Sequence, residues 1–169
     1  MPKSSINSKQ IKMPKLYLGL GSNLGDKKQN ITNATIICGS LLGDIVALSS
    51  LYETEPWGFE SDSAFLNAAI CIETNHPPLV CLEMTKAIER EMGRTQKSSD
   101  GVYHDRIIDI DILFYADEIV KTDELTVPHP LLADRDFVLR PLAEIAPDLI
   151  HPEKKISVSN MLENLEKKL

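Results

Sequence analysis

The sequence is poor in aromatic residues and has no long apolar run. Aromatic side chains make up 5% of the 169 residues, and there is one tryptophan. No stretch approaches the 18 or more apolar residues of a membrane-spanning helix. The N-terminal stretch has basic residues but lacks the apolar centre of a secretory signal. We therefore expect a cytoplasmic protein that does not associate with membranes. A weak organelle-targeting peptide is the alternative for the N-terminal stretch, which has no acidic residue.

Cysteine is scarce, and the 18 basic residues are outnumbered by 25 acidic ones. Cys38, Cys71 and Cys81 lie far apart in apolar segments, which favours reduced thiols in a packed core over a disulfide framework or a zinc site. The net charge of −7 argues against a general nucleic-acid-binding protein. Any anion site must therefore come from a local cluster of basic residues.

The remaining composition is that of an ordinary globular protein, with 43% apolar and 25% charged residues. The length suits a single domain with a substantial core. We predict a flexible tail over residues 1–14 and one domain over residues 15–169.

The hydrophobic pattern predicts strands and helices in the order β-α-β-β-α-β, followed by a hairpin. The predicted strands are residues 15–21, 44–52, 64–74 and 106–115, and the predicted helices are residues 26–42 and 79–92. A short helical stretch from Leu131 and a polar helix over about 157–167 complete the chain. This order matches a ferredoxin-like α+β sandwich, in which helices cover one face of an antiparallel sheet.

The predicted strand over residues 106–115 carries two acidic residues on one face. Because strand side chains alternate, Asp109 and Asp111 point away from Ile110 and lie roughly 6.6 Å apart, and Leu113 and Tyr115 continue their face. At an effective dielectric constant of about 20, two such charges repel by roughly 2.5 kcal/mol. A Mg²⁺ ion would offset this repulsion, since it is often held by one or two carboxylates plus substrate phosphates. A half-exposed strand edge with two solvated aspartates is the alternative.

Several motifs, in this order and spacing, resemble those of the 6-hydroxymethyl-7,8-dihydropterin pyrophosphokinase family. They span residues 18–25 (LGLGSNLG), 50–58 (SLYETEPWG), 65–69 (FLNAA), 105–113 (DRIIDIDIL) and 127–130 (VPHP), with Glu89 and Arg94 between them. The resemblance implies a ferredoxin-like fold. It also implies transfer of pyrophosphate from ATP to the hydroxymethyl oxygen of the pterin, leaving AMP, in folate biosynthesis. From the family we expect a monomer.

The resemblance implies a metal and phosphate site. It assigns two Mg²⁺ ions to Asp109 and Asp111, and the ATP phosphates to basic side chains, which suits arginine because its guanidinium binds phosphate through two hydrogen bonds. The catalytic residues would be Arg94, Arg106, Asp109, Asp111 and His129. The ATP-binding residues would be Glu89, Arg94, Arg106, His129 and Arg135. Surface arginines paired with acids, a packed loop histidine and a solvated glutamate are the alternatives.

The resemblance also implies a pterin site. A flat ring with hydrogen-bonding edges needs aromatic platforms and amide partners. The matching residues are Thr54, Glu55, Trp57, Phe65, Asn67 and Phe137. Phe65 and Asn67 are two residues apart, so one strand face supplies both a platform and an amide. Ordinary core packing is the alternative for each phenylalanine.

The chain departs from the family pattern near the expected ATP site. Gln96, His104-Asp105 and Pro130 stand where other residues are common in the family. These departures concern ATP binding rather than the aspartate pair or the pterin pocket. A regulatory ligand-binding module would not need the acidic, basic and histidine groups together, and another D-x-D transferase would need a larger nucleotide-binding framework.

Overall fold

The computed structural model describes residues 12–54, 64–93 and 106–168. The strands are β1 (Lys15–Ser22), β2 (Asp44–Leu48), β3 (Tyr52–Thr54), β4 (Phe65–Glu73), β5 (Asp109–Tyr115), β6 (Val120–Lys121) and β7 (Thr126–Val127). The α-helices are α1 (Lys27–Leu41), α2 (Pro78–Gly93), α3 (Asp136–Ile145) and α4 (Val158–Lys168), with a 3₁₀ turn at Leu132–Asp134 before α3.

The main sheet is antiparallel, in the order β2-β4-β1-β5. β3 also pairs with β4, opposite residues 65–67, whereas β2 pairs opposite residues 70–73. The single strand predicted over residues 44–52 is therefore wrong: it is two strands along one edge. Between them, Ser49 bonds to Ala69 through both its backbone N–H and its side-chain oxygen. The strand order is that of the predicted ferredoxin-like fold.

Helices cover both faces of the sheet, so the prediction of helices on one face is incomplete. On one face, Leu16, Leu18 and Ile70 pack in a cluster with residues of α1 and α2. On the other face, Ala69 and Leu113 pack with residues of α3 and α4. Helices α3 and α4 follow the β-α-β-β-α-β unit along the chain. They bury the sheet face for which no covering helices were predicted.

A bulge interrupts the pairing of β5 with β1. The register shifts between Tyr17 and Leu18, which pair with Phe114 and Ile112 and so leave Leu113 as an extra residue. Tyr115 consequently packs in the cluster of the α1 and α2 face, and the prediction that it shares the face of the aspartates is wrong. Leu113 does lie on the α3 and α4 face, as predicted.

The turn from β1 into α1 is held by side chains. Asp26 caps α1, its carboxylate accepting a hydrogen bond from Gln29 N–H at 3.1 Å. Gly25 has a φ of 73°, a backbone conformation that favours glycine. Asn30 Nδ2 donates to the Leu24 carbonyl at 2.8 Å and to Ser22 Oγ at 3.2 Å, which ties the turn to the helix.

Three further expectations concern the whole chain. All three cysteines are buried and free, as expected of core thiols. Among the helices that the structure describes, none is long and apolar enough to cross a membrane. Of the predicted tail, residues 1–11 lie outside the described residues, and the Pro14 carbonyl accepts a hydrogen bond from Thr74 N–H at 3.0 Å.

Candidate active site

A side-chain-free strip on β1 separates two groups of predicted site residues. Gly21 pairs with Asn67 of β4 on one side and with Asp109 of β5 on the other. Gly19 pairs with Asp111. Directly paired residues present their side chains on the same face of a sheet. Since glycine has no side chain, this strip of β1 leaves open space between the amide on β4 and the carboxylates on β5.

A cavity of about 460 Å³ opens over this strip. Its walls come from the sheet, from residues after β7 and from the start of α3. It is lined by Gly19, Leu20, Gly21, Thr54, Phe65, Asn67, Ala68, Arg106, Asp109, Asp111, His129, Pro130, Leu131, Arg135, Phe137 and Val138. Nine residues predicted from the sequence therefore meet in one cavity, namely Thr54, Phe65, Asn67, Arg106, Asp109, Asp111, His129, Arg135 and Phe137.

The two aspartates have the electrostatics of a cation site. Burial, followed by the neighbouring charge of Asp109, raises the pKa of Asp111 to about 7. Arg106 and Arg135 oppose this shift but do not cancel it. Arg106 Nη1 lies 3.6 Å from Asp109 Oδ1. A buried carboxyl group that ionises with difficulty and has a second carboxylate beside it would be stabilised in its charged form by a divalent cation.

Within the described ranges, no group of three or more histidine, cysteine, aspartate or glutamate side chains is arranged to hold a metal ion. A metal ion in this cavity could take two ligands from the protein, the carboxylates of Asp109 and Asp111. Mg²⁺ keeps several water ligands and commonly takes others from substrate phosphates. The donor set therefore fits a metal that binds together with a phosphorylated substrate.

His129 presents one defined nitrogen to the cavity. Its Nδ1 accepts a hydrogen bond from Leu131 N–H at 3.1 Å, and its backbone N–H donates to the Leu113 carbonyl at 3.0 Å. In the neutral ring, the proton is then on Nε2. Burial, followed by the charge of Arg135, lowers the pKa of His129, so the neutral form is favoured. Nε2–H is thus a fixed donor beside β5.

The opposite end of the cavity is aromatic and amide-lined. Asn67 Nδ2 donates to Thr54 Oγ1 at 2.9 Å, so the amide is held in one orientation. A Cβ placed on Gly21 would lie 3.2 Å from Asn67 Oδ1 and 3.6 Å from the Phe65 ring. The Arg135 guanidinium lies 5.7 Å from the centre of the Phe137 ring. Phe137 thus lines the cavity beside Arg135.

Glu89 does not line the cavity. Its Oε2 accepts a hydrogen bond from Ile110 N–H at 2.7 Å, between the two aspartates on β5. Burial raises the pKa of Glu89 to about 7, and this hydrogen bond opposes the rise. Glu89 thereby fixes the strand that carries the carboxylates, and its contact with ATP stays a prediction. Arg94, Glu55 and Trp57, like the departures Gln96, His104 and Asp105, lie outside the described residues.

Two polar contacts hold segments that border the cavity, and sequence reasoning missed both. Glu144 of α3 accepts hydrogen bonds from Tyr52 OH at 2.7 Å and from Ser50 N–H and Oγ at 3.0 Å each. Lys27 Nζ donates to the Ala64 carbonyl at 3.0 Å. The partners of Glu144 lie 92 or more residues away in the chain, and the partner of Lys27 lies 37 residues away, so no local pattern reveals these contacts.

The sequence analysis also did not single out Gly19 and Gly21. The alternation Leu-Gly-Leu-Gly nevertheless indicates a strand with one face that has no side chains.

The cavity brings paired carboxylates, two arginines and a histidine together with two phenylalanines and an amide. This combination suits a phosphorylated substrate and a planar ring compound. Comparison with known proteins identifies the family. The family described as 7,8-dihydro-6-hydroxymethylpterin-pyrophosphokinase (HPPK) matches residues 17–147. The chain belongs to this family, and the resemblance drawn from its motifs is confirmed.

Named relatives agree with this assignment. A protein of Porphyromonas gingivalis named 2-amino-4-hydroxy-6-hydroxymethyldihydropteridine pyrophosphokinase is 51% identical over 139 residues, which cover 82% of this chain and 94% of the relative. A protein of the same name from Bacillus subtilis is 42% identical over 130 residues, covering 76% of each chain.

Solved structures support the fold. An HPPK-DHPS structure described as a complex with substrates superposes with a TM-score of 0.73 at 16% identity, covering 94% of this chain and 44% of that chain. HPPK-DHPS from Plasmodium falciparum gives a TM-score of 0.73 at 19% identity, covering 98% of this chain and 46% of that chain. This chain thus spans less than half the length of these solved chains. The predicted ferredoxin-like α+β class is confirmed.

Proposed function

We propose that this chain transfers the β,γ-pyrophosphoryl group of ATP to the hydroxymethyl oxygen of 6-hydroxymethyl-7,8-dihydropterin, in folate biosynthesis. The hydroxymethyl oxygen forms a bond to the β-phosphorus, and the bond from that phosphorus to the oxygen bridging to the α-phosphorus breaks. The products are AMP and the pterin diphosphate, and the hydroxyl proton is released. The observation that carries the proposal is that aromatic and amide side chains and acidic and basic side chains line one and the same cavity.

The aromatic end binds the pterin in this proposal. Phe65 and Phe137 flank the ring, which suits offset aromatic stacking. The Asn67 amide, oriented by Thr54, presents Oδ1 to the donors at the ring edge. Glu55 and Trp57 complete the pocket by family resemblance.

The basic end binds the triphosphate. Arg106 and Arg135 line the cavity near the aspartates, and Nε2–H of His129 is available as a hydrogen-bond donor to a phosphate oxygen. Arg94 joins them by resemblance, and Glu89 supports the site through Ile110. In pyrophosphoryl transfer, positioning and charge stabilisation supply most of the catalysis. These residues therefore serve chiefly to hold the phosphate chain in line with the hydroxymethyl oxygen.

Asp109 and Asp111 hold Mg²⁺ in this proposal, and we propose two ions. The raised pKa of Asp111 supports a cation there, because the pair has too little compensating charge of its own. When bound, the metal neutralises phosphate charge and polarises the bridging oxygens. Without it, the acidic pair would repel the triphosphate that the arginines attract.

The spacing of the two ends fits the reaction. Asn67 and Asp109 both pair with Gly21, so they lie two strand spacings apart, roughly 10 Å. A pterin ring next to Asn67 would carry its hydroxymethyl arm over the glycine strip toward the carboxylates. The site-residue assignments rest on this geometry together with the family resemblance.

We further propose that residues 15–169 act as one domain and that the chain is a monomer. We also propose that the chain is cytoplasmic and that it does not bind nucleic acid. The net charge of −7 supports the latter.

Calorimetry and product analysis test the proposed reaction. A nonhydrolysable ATP analogue should bind only with Mg²⁺ present, and its binding should strengthen that of the pterin. With ATP, AMP should form only when the pterin is added. If neither ligand binds in the presence of Mg²⁺, or if AMP forms equally without pterin, the proposal is wrong.

A further inference from the structure

A buried asparagine in the turn after β1 holds the backbone of a cavity arginine. Asn23 is fully buried. Its Oδ1 accepts a hydrogen bond from Arg106 N–H at 2.7 Å, and its own backbone N–H donates to the Arg106 carbonyl at 3.0 Å. Both backbone polar groups of Arg106 are therefore bonded to one residue that lies 83 positions earlier in the chain.

The turn that carries Asn23 is itself fixed. Asn30 of α1 donates to the residues on either side of Asn23, through Ser22 Oγ and the Leu24 carbonyl. Ser22 also ends β1, the central strand that carries the glycine strip. The position of Asn23 is therefore set by the same strand that forms the floor of the cavity.

The bonds to Asn23 matter because of where Arg106 lies. β5, the strand that carries both aspartates, begins three residues after Arg106. The Arg106 guanidinium lines the cavity and lies 3.6 Å from Asp109 Oδ1. A displacement of its backbone would carry the guanidinium away from the carboxylate end of the cavity.

We propose that Asn23 is a positioning residue for the nucleotide end of the site, acting through the backbone of Arg106. The inference rests on the proposed function, because it assigns to Arg106 the task of binding phosphate. Asn23 contacts neither substrate in this proposal. Its side chain has the reach to meet the Arg106 N–H while its own backbone N–H meets the carbonyl, and alanine would keep only the second of these bonds.

A double-mutant cycle tests this inference. Asn23→Ala and Arg106→Ala are made singly and together, and Asn33→Ala, an exposed asparagine on α1, is the matched control. The measurements are kcat, KM for ATP, KM for the pterin, Mg²⁺-dependent binding of a nonhydrolysable ATP analogue, and the melting temperature. Asn23→Asp, which retains the acceptor oxygen, is the conservative rescue.

If Asn23 acts through Arg106, Asn23→Ala lowers kcat/KM for ATP roughly 10- to 100-fold, as expected when a reacting group is displaced by about an ångström. Binding of the analogue weakens, whereas binding of the pterin alone is unchanged. In the Arg106→Ala background the same substitution has little further effect. Asn23→Asp recovers most of the loss, and Asn33→Ala behaves as the wild type.

A purely structural role gives a different result. The losses in the two single variants would then multiply in the double variant, or pterin binding would fall as much as nucleotide binding, and either result overturns the inference. Should Asn23→Ala fail to fold, Asn23→Ser carries the same test, because its hydroxyl is too short to keep the bond to Arg106 N–H. A wild-type chain that forms no pterin-dependent AMP would instead contradict the proposed function.

Discussion

Gly21 and Asn67 are paired across β1 and β4, and a Cβ at Gly21 would lie 3.2 Å from Asn67 Oδ1. The amide on which pterin recognition is proposed to depend therefore lies against a residue that has no side chain. Tyr52 and Thr54 on β3 border the same amide, since Asn67 Nδ2 lies within 3.5 Å of the Tyr52 carbonyl and 2.9 Å of Thr54 Oγ1. The amide has little room to move aside.

Gly21→Ala should weaken pterin binding. The added methyl group meets Asn67 Oδ1 and the Phe65 ring, so the amide must turn or the pocket must narrow. We expect a rise in KM for the pterin of roughly tenfold or more, as for overpacking of a tight site, with a smaller change in KM for ATP. Steady-state kinetics with each substrate varied in turn measure both.

Gly39→Ala is the control for this prediction. There the added methyl group would meet the end of the Ile45 side chain at 2.9 Å, and that side chain can rotate away. Gly39 does not line the cavity, so the variant should change stability at most. If Gly21→Ala raised KM for ATP as much as KM for the pterin, the division of the cavity into two ends would be wrong.

Asp111→Asn should stabilise the metal-free chain while abolishing its activity. The pKa of Asp111 is raised to about 7, so the folded chain holds a proton that the unfolded chain releases near pH 4. The stability that this proton contributes is present at low pH and is lost as the pH rises through about 7. Removing the carboxylate should raise the melting temperature by several degrees at pH 8 and by much less at pH 5.

The same variant should lose several orders of magnitude in kcat, because the cation site is broken. Thermal unfolding at both pH values, without metal or nucleotide, measures the stability effect. Asp44→Asn, at an exposed position on the opposite edge of the sheet, removes the same charge and is the control. An equal gain in stability at pH 5 and pH 8 would show that Asp111 is not the source.

Glu144→Gln should lower stability and weaken pterin binding. The hydrogen bonds from Tyr52 and Ser50 hold the pKa of Glu144 below its ordinary value. The ionised Glu144 carboxylate therefore stabilises the folded chain at pH values above the ordinary pKa of glutamate. This stabilisation is lost as the pH falls through the lowered pKa of Glu144 in the folded chain. Because Thr54 follows Tyr52 by two residues on β3, loss of these bonds should also loosen the hydroxyl that orients Asn67.

The melting temperature of Glu144→Gln should therefore fall by a few degrees at pH 7, with a modest rise in KM for the pterin. Glu163→Gln, an exposed position on α4, is the matched control and should leave both unchanged. A drop in stability with no change in pterin KM would limit Glu144 to a structural role.

Much of the fold and of the candidate site follows from local patterns in the sequence. The alternation in the segment Ile108–Ile112 places Asp109 and Asp111 on one face, and the structure has them there, lining the cavity. The face of Tyr115 could not be predicted, because the bulge opposite Tyr17 depends on pairing with a distant strand. For the same reason the roles of Asn23, Glu144 and Lys27, whose partners are far away in the chain, required the structure. The roles carried by family motifs, such as that of Phe137, came from the resemblance and not from spacing.

His129→Gln should retain more activity than His129→Asn. Nδ1 of His129 is already bonded to Leu131 N–H, which leaves Nε2–H as the donor for a phosphate oxygen. The glutamine amide nitrogen can reach the position of Nε2, whereas the asparagine amide reaches only that of Nδ1. We expect a loss in kcat/KM for ATP of about tenfold or less for glutamine and roughly 100-fold for asparagine.

The pH dependence of the reaction tests the protonation state of His129. Because the pKa of His129 is lowered, its ring stays neutral above pH 7. The pH dependence of kcat/KM between pH 7 and 9 should therefore be the same in the wild type and the glutamine variant. A wild-type profile that falls across this range, and that flattens in His129→Gln, would mean that the protonated ring binds ATP instead.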